Sequence, residues 1–166
     1  MIRAIVAVDK EWGIGKKNGL LFNIPEDMKF FREKTTGTVV CMGYNTLLSF
    51  PGGKPLKNRI NATLCPPEVK RDDLFCFHDL NGILEFIKNA EKDVYIIGGA
   101  MFYHTMLPYC EEVYVTKVDE VGNAEVFFDD LDKDENFSLI YESPSVAVSG
   151  YNIRFTTYRN DHPKKI

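Results

Sequence analysis

The chain has 166 residues, 45% of them hydrophobic and 27% charged, with a formal net charge of −4. That length suits one domain, 1–166, able to bury roughly 70% of the unfolded chain's surface. The acidic balance excludes a general attraction to nucleic acid or anionic membrane, and no run of about 18 apolar residues is present to span a bilayer. Any anionic ligand must then be held by local cations and bare backbone N–H groups.

Residues 2–8 are short, apolar and β-branched, which predicts a buried first strand. The chain enters that strand at once, without a signal-peptide pattern, so a cytoplasmic location is expected. From Asp9 to Ile24 runs a long connection with Gly13, Gly15 and Gly19. Structureless connections of that length tend to be lids or binding loops. Trp12, the single tryptophan, is either an anchor for the loop or a ligand contact. The spacing G-x-G-x-x-x-G, with no helix after it, excludes a dinucleotide fingerprint, and the absence of Gly-Lys-Ser or Gly-Lys-Thr excludes a P-loop.

Pro25 suits the first position of a helix over 25–35, and Glu26 and Asp27 complement its dipole in the first turn. Asp27, Met28 and Phe31 share one side of that helix. Two readings of Asp27 stand: a helix-starting acid at the edge of a core, or a lone proton-handling carboxylate at the floor of an apolar pocket, its pKa raised by burial.

Thr38–Met42 reads as a second buried strand ending at Gly43, followed by a short helix from Tyr44 to Phe50. Lys54, Lys57 and Arg59 form a basic cluster, either solvated surface or a carboxylate site centred on the arginine. Strands follow at Ile60–Leu64 and Leu74–Phe77, then an amphipathic helix in 79–91 with Leu80, Ile83, Leu84 and Ile87 on one face. Asp93–Ile97 is a strand, Gly98-Gly99 a turn, and Ala100–Leu107 a helix stopped by Pro108. Strand, paired glycines and helix make a geometry in which a diphosphate can lie against backbone N–H groups.

The last third carries strands at 112–118, 126–128, 137–141 and 151–158 without intervening helices, then a charged tail from Asp161 expected to fray. The fold class is α/β: a mixed, mostly parallel central sheet of about eight strands, an antiparallel C-terminal hairpin and about four flanking helices. Cys41, Cys65, Cys76 and Cys110 are scattered, as are His78, His104 and His162, so no metal site is expected and free thiols are the default.

Four separated segments, in order, match one pattern. They are Ile5–Asp9 with Gly13-Ile14-Gly15, then Asn23–Phe31, then Met42-Gly43 with Thr46, Pro55-Leu56 and Arg59, then Ile96–Gly99 with Tyr103, Tyr114–Thr116 and Phe127-Phe128. Across essentially its whole length the chain resembles dihydrofolate reductase. The resemblance implies reduction of 7,8-dihydrofolate to 5,6,7,8-tetrahydrofolate by a monomeric oxidoreductase of one-carbon metabolism, with hydride transfer from NADPH to C6 and a proton delivered to N5.

Carried over by position, Asp27 is the only ionisable side chain in the pterin pocket and promotes N5 protonation through water, with Thr116 supporting the network. Ile5, Ala7, Met28, Phe31 and Leu56 line the folate pocket, and Arg59 pairs with the glutamate α-carboxylate in a fork that lysine could not reproduce. Ala7, Ile14, Gly15, Ile97 and Tyr103 border the nicotinamide. Gly43, Tyr44, Asn45, Thr46, Leu64, Cys65, Gly98, Gly99, Ala100, Met101 and Phe102 hold the rest of the cofactor. The stretch from Asp9 to Ile24 is the mobile lid.

The pattern also has departures. Leu21-Phe22 stands where the family often has Pro-Trp, so Phe22 takes the place of a water-ordering indole. Tyr44, Cys65-Pro66 and Met101 replace residues that commonly surround the 2′-phosphate, with Lys70, Arg71 or His78 as candidate substitutes. A related reductase of another pterin or of a riboflavin-pathway intermediate predicts loss of the Asp27, Phe31 and Arg59 set, and a silent folate- or nucleotide-binding protein predicts loss of Asp27. All three residues are present.

Overall fold

The computed structural model describes residues 1–16 and 19–166; Lys17 and Asn18, part of the expected glycine-flanked connection, lie outside the described residues. The chain runs β1 (Ile2–Val8), β2 (Gly13–Lys16), β3 (Gly19–Leu20), α1 (Pro25–Thr35), β4 (Val39–Gly43), α2 (Tyr44–Ser49), β5 (Ile60–Leu64) and β6 (Phe75–Phe77). It continues through α3 (Leu80–Lys88), β7 (Val94–Ile96), α4 (Ala100–Met106), β8 (Glu112–Val118), β9 (Val126–Phe127), β10 (Phe137–Glu142), β11 (Val146–Val148) and β12 (Tyr151–Asn160). The main sheet has the order β10-β12-β8-β1-β7-β4-β5-β6, with β11 added on β12. From β8 to β6 every pair is parallel; β12 joins β8 antiparallel and carries the antiparallel β10 and β11. The mixed, mostly parallel sheet with four helices matches the expected fold class.

Strand periodicity divides the core between the two faces of the sheet. Ala4, Val6 and Val8 of β1, with Val39 and Cys41 of β4, pack with Ile83, Leu84 and Ile87 of α3 and Phe102 and Met106 of α4. Ile5, Val40 and Met42 point the other way, into a cluster with Leu47 of α2 and the partly buried Phe30 and Phe31 of α1. The amphipathic stripe of α3 is buried as its spacing requires, and Asp79 caps it by accepting from the Gly82 N–H at 2.7 Å.

Three expectations need correction. The connection after β1 is not structureless: β2 pairs with β3 and with β9 in a separate three-stranded sheet. The strand expected at 126–128, β9, therefore belongs to this small sheet and does not join its neighbours in sequence on the main one. The buried Asp9 carboxylate holds it in place, Oδ1 accepting from the Glu11 and Gly13 N–H groups at 2.8 and 2.7 Å and Oδ2 from the Gly122 N–H at 2.9 Å. The C-terminal tail does not fray, since the Lys164 N–H donates to Pro108 O at 2.8 Å and Ile166 packs on the main core.

Candidate active site

Strands β4 and β7 are neighbours, yet the helices that follow them lie on opposite faces, α2 with the Ile5 cluster and α4 with the larger core. Adjoining parallel strands whose helices part in this way leave a crevice at their C-terminal ends. The glycines of both strand ends meet there: the Gly43 N–H donates to Gly98 O at 2.8 Å. Gly98 has φ of +131°, a conformation open to glycine, and is joined to Gly99 by a cis peptide bond. A Cβ at either position would come within 3.3 Å of Thr46 Oγ1. Neither Gly43 nor Gly99 offers a side chain to cap the helix it opens, so the first-turn N–H groups of α2 and α4 carry no side-chain cap.

Asp27 lies in the first turn of α1, whose start is set by buried Ile24 at the N-cap and Pro25 at the first position. Its carboxylate is half-buried, and Oδ1 accepts the hydroxyl of Thr116 at 2.7 Å. Thr116 is fixed in β8, beside Ala7 of β1 and Phe155 of β12. Burial raises the Asp27 pKa above the ordinary carboxylate value, and the Thr116 hydroxyl opposes that shift. The buried Tyr103 hydroxyl donates to Ile5 O at 2.7 Å and feels the Asp27 charge, so α4 and β1 both close on this acid.

About one turn along α1 from Asp27, Phe31 is half-buried beside the Ile5 cluster with Leu56. The Arg59 guanidinium sits 6.0 Å from the Phe31 ring centre. Its Nη1 donates to Thr35 Oγ1 at 3.0 Å and its Nε to Lys57 O at 2.9 Å. Burial and the nearby Arg32 lower the Arg59 pKa, and among the described residues no carboxylate forms an ion pair with it. Thr35, which anchors this arginine, was not singled out by the sequence; a fully buried threonine at a helix end is its only signature.

Of the remaining candidates, Ile97 is buried in the Ile5 cluster, while Ala7 and Ile14 are half-buried and Gly15 pairs with Val126 and Leu20 in the small sheet. Phe22 packs edge-on against Tyr151 at 5.1 Å in a cluster with Ile24, Val118 and Ile153, next to the turn that carries Asp27. Met28 is 40% exposed and Met101 86% exposed. Tyr44 and Leu64 are half-buried, Asn45 is exposed, Ala100 half-buried and Phe102 buried in the main core. Cys65 is buried at the end of β5, with His78 Nδ1 3.6 Å from its sulfur. Arg71 donates to Asp73 and to Gly53 O and interacts electrostatically with Tyr44 and Cys76. An open apolar groove of about 520 Å³ between the β6 edge and α3 is lined by none of these residues.

These features define a class: a small α/β protein that sets one half-buried carboxylate of raised pKa beside a glycine-lined strand rim. Comparison with known proteins makes the assignment specific. The family model for dihydrofolate reductase matches residues 1–160, and the chain belongs to that family. It is 32% identical over 183 residues to the viral dihydrofolate reductase of Saimiriine herpesvirus 2 (strain 488), covering 100% of this chain and 85% of that protein. The dihydrofolate reductase of Bacillus subtilis (strain 168) is 28% identical over 168 residues, covering 99% of this chain and 98% of the relative. A solved dihydrofolate reductase from Enterococcus faecalis, complexed with NADP(H) and RAB-propyl, superposes with a TM-score of 0.88 at 28% identity over 97% of this chain and 96% of that one.

Proposed function

We propose that Asp27 is the acid that serves N5 protonation in this enzyme, with Thr116 as its positioning partner and Arg59 as the anchor for the substrate's carboxylate. The reaction is the reduction of 7,8-dihydrofolate to 5,6,7,8-tetrahydrofolate with NADPH. The observation that carries the residue roles is the half-buried Asp27 carboxylate, raised in pKa and tied to Thr116 at 2.7 Å.

The roles follow from the chemistry. When bound, NADPH supplies a hydride for C6 of the pterin, so no protein nucleophile is needed. The chain must orient a flat ring, exclude water and steady the positive charge that the ring gains with its proton. The Thr116 hydroxyl occupies Oδ1 of Asp27, which leaves Oδ2 to accept from the pterin amino and ring N–H groups. Burial raises the Asp27 pKa above that of an exposed aspartate, which strengthens its hold on the pterin N–H protons, and it promotes protonation of N5 through water. The apolar neighbours Phe31, Leu56 and Ile97 lower the local dielectric and strengthen this term.

The cofactor fits the rim. The bare Gly98-Gly99 backbone against Thr46 Oγ1 leaves room that a Cβ would fill, as close approach of a phosphate demands. Arg71, near Tyr44, is the cation that stands in for the missing 2′-phosphate partners, with the His78 ring beside Cys65 as a second polar contact. The reading of one domain, 1–166, rests on length and composition, and the reading of a cytoplasmic monomer rests on the resemblance to the family.

Steady-state assays with dihydrofolate, run separately with NADPH and with NADH, test the assignment. The expected result is turnover with NADPH and a higher KM for NADH. Absence of dihydrofolate-dependent NADPH oxidation would overturn it.

A further inference from the structure

The end of β5 carries a feature that hydride transfer does not use. Cys65 Sγ and Cys76 Sγ, both free thiols, lie 3.1 Å apart. The strand register explains the approach. In the parallel β5–β6 pair Thr63 is opposite Cys76 and Leu64 opposite Phe77, and the Cys65 N–H extends the ladder by donating to Phe77 O at 2.8 Å. Side chains alternate along a strand, so Cys65 falls on the same face as Thr63 and stands diagonal to Cys76. The other two cysteines, Cys41 and Cys110, are buried in the main core with no such sulfur partner.

We infer that Cys65 and Cys76 form a reversible intramolecular disulfide on reaction with a low-molecular-weight disulfide such as oxidised glutathione, and that the bridge weakens binding of the cofactor at the adjoining end of the crevice. The second half rests on the cofactor reading given above, in which Leu64 and Cys65 border the cofactor; the first half does not.

The chemistry balances without another reagent. Cys76 is half-buried while Cys65 is 5% exposed, so the reagent meets Cys76 first. The Cys76 thiolate attacks one sulfur of the reagent, the reagent's S–S bond breaks, and one glutathione thiolate leaves, taking up a proton. Cys65 then attacks the Cys76 sulfur of the mixed disulfide and expels the second glutathione thiolate, which takes the Cys65 proton. Two protein thiols are oxidised and one reagent disulfide is reduced to two thiols. Burial and the adjacent Cys76 push the Cys65 thiol up to about 12, with Arg71 pulling the other way, so Cys65 is the slower thiol toward a reagent in solution and its part in the second step rests on the 3.1 Å approach of the two sulfurs.

Bridge formation shortens the sulfur separation from 3.1 Å to about 2.05 Å and draws Cys65 toward β6. The wall formed by Cys65 and the turn at Pro66 moves with it, while Asp27 and Arg59, held on α1 and next to β5's other end, stay in place.

The test incubates the whole reduced protein with oxidised glutathione, followed by intact mass, peptide mapping and steady-state kinetics. We expect loss of two hydrogen masses, a Cys65–Cys76 cross-linked peptide, and a cofactor KM raised about threefold or more with the dihydrofolate KM unchanged. Dithiothreitol should reverse all three changes, and Cys76→Ser and Cys76→Ala should retain parent kinetics and show no response. Stable glutathionylation without an internal bridge, or a bridge that leaves the cofactor KM unchanged, would overturn the inference. A failed cofactor reading shows separately, as reduced protein that does not oxidise NADPH.

Discussion

Arg59 offers the most quantitative test of the substrate pocket. A guanidinium has five N–H donors, and here Thr35 Oγ1 and Lys57 O take one from Nη1 and the one on Nε. The second Nη1 hydrogen and the Nη2 pair remain, which is the fork that a carboxylate accepts in parallel. Each charge-assisted hydrogen bond is worth about 1.5–3 kcal/mol, and the half-exposed setting discounts the pair to about 2–3 kcal/mol. At about 1.4 kcal/mol per tenfold, Arg59→Ala should raise the dihydrofolate KM about 30- to 140-fold, with the cofactor KM and kcat close to the parent values. Arg59→Lys keeps the charge but loses the fork and should fall between, near tenfold. Thr35→Val should give a smaller increase, because the arginine loses one of its two supports. Steady-state kinetics with each substrate varied in turn reads all three. An unchanged dihydrofolate KM in Arg59→Ala, or an equal rise in the cofactor KM, would refute the reasoning.

Three further outcomes follow from the geometry. Thr116→Val removes the hydroxyl that opposes the burial of Asp27, so the Asp27 pKa should rise further and the high-pH decline of kcat/KM should move to higher pH; a static or downward-moving limb contradicts the role given to Thr116. Gly99 has φ of −85°, so Gly99→Ala adds no backbone strain but places a Cβ within 3.3 Å of Thr46 Oγ1; the cofactor KM should increase and the dihydrofolate KM should not, and parent kinetics would remove the glycine pair from the cofactor cradle. Asp9→Ala strips partners from the Glu11, Gly13 and Gly122 N–H groups and should destabilise the protein by about 2–4 kcal/mol in urea unfolding, whereas a loss below about 0.5 kcal/mol would show that the carboxylate does not hold the small sheet.

The sequence carried the elements whose apolar period is long enough to read. Strand β4 and helix α3 declare themselves within five to nine residues, and the switch from alternating strands and helices to consecutive strands after Pro108 marks where the sheet turns antiparallel. The small sheet was illegible because β3 and β9 have two residues each and β2 pairs with a partner more than a hundred residues away. No periodicity accumulates over two residues, and glycines at 13, 15 and 19 read as loop. The tail was misread for a related reason: its charge suggests solvent, but a single backbone bond from Lys164 and the packing of Ile166 hold it. In the site, Pro25 and the first-turn acids located Asp27 at a helix start, yet nothing local could pair it with Thr116, 89 residues on. The family resemblance brought those residues together, and it was equally silent on Thr35 and on the Cys65–Cys76 approach, which depend on side-chain reach and strand register.

The account turns on the acid at position 27, and single-turnover hydride transfer in Asp27→Asn, followed across pH with saturating NADPH, tests it most directly. The account predicts loss of most of the rate at neutral pH and a partial recovery at acid pH, where the substrate arrives already protonated. Rates equal to the parent's at every pH would contradict it.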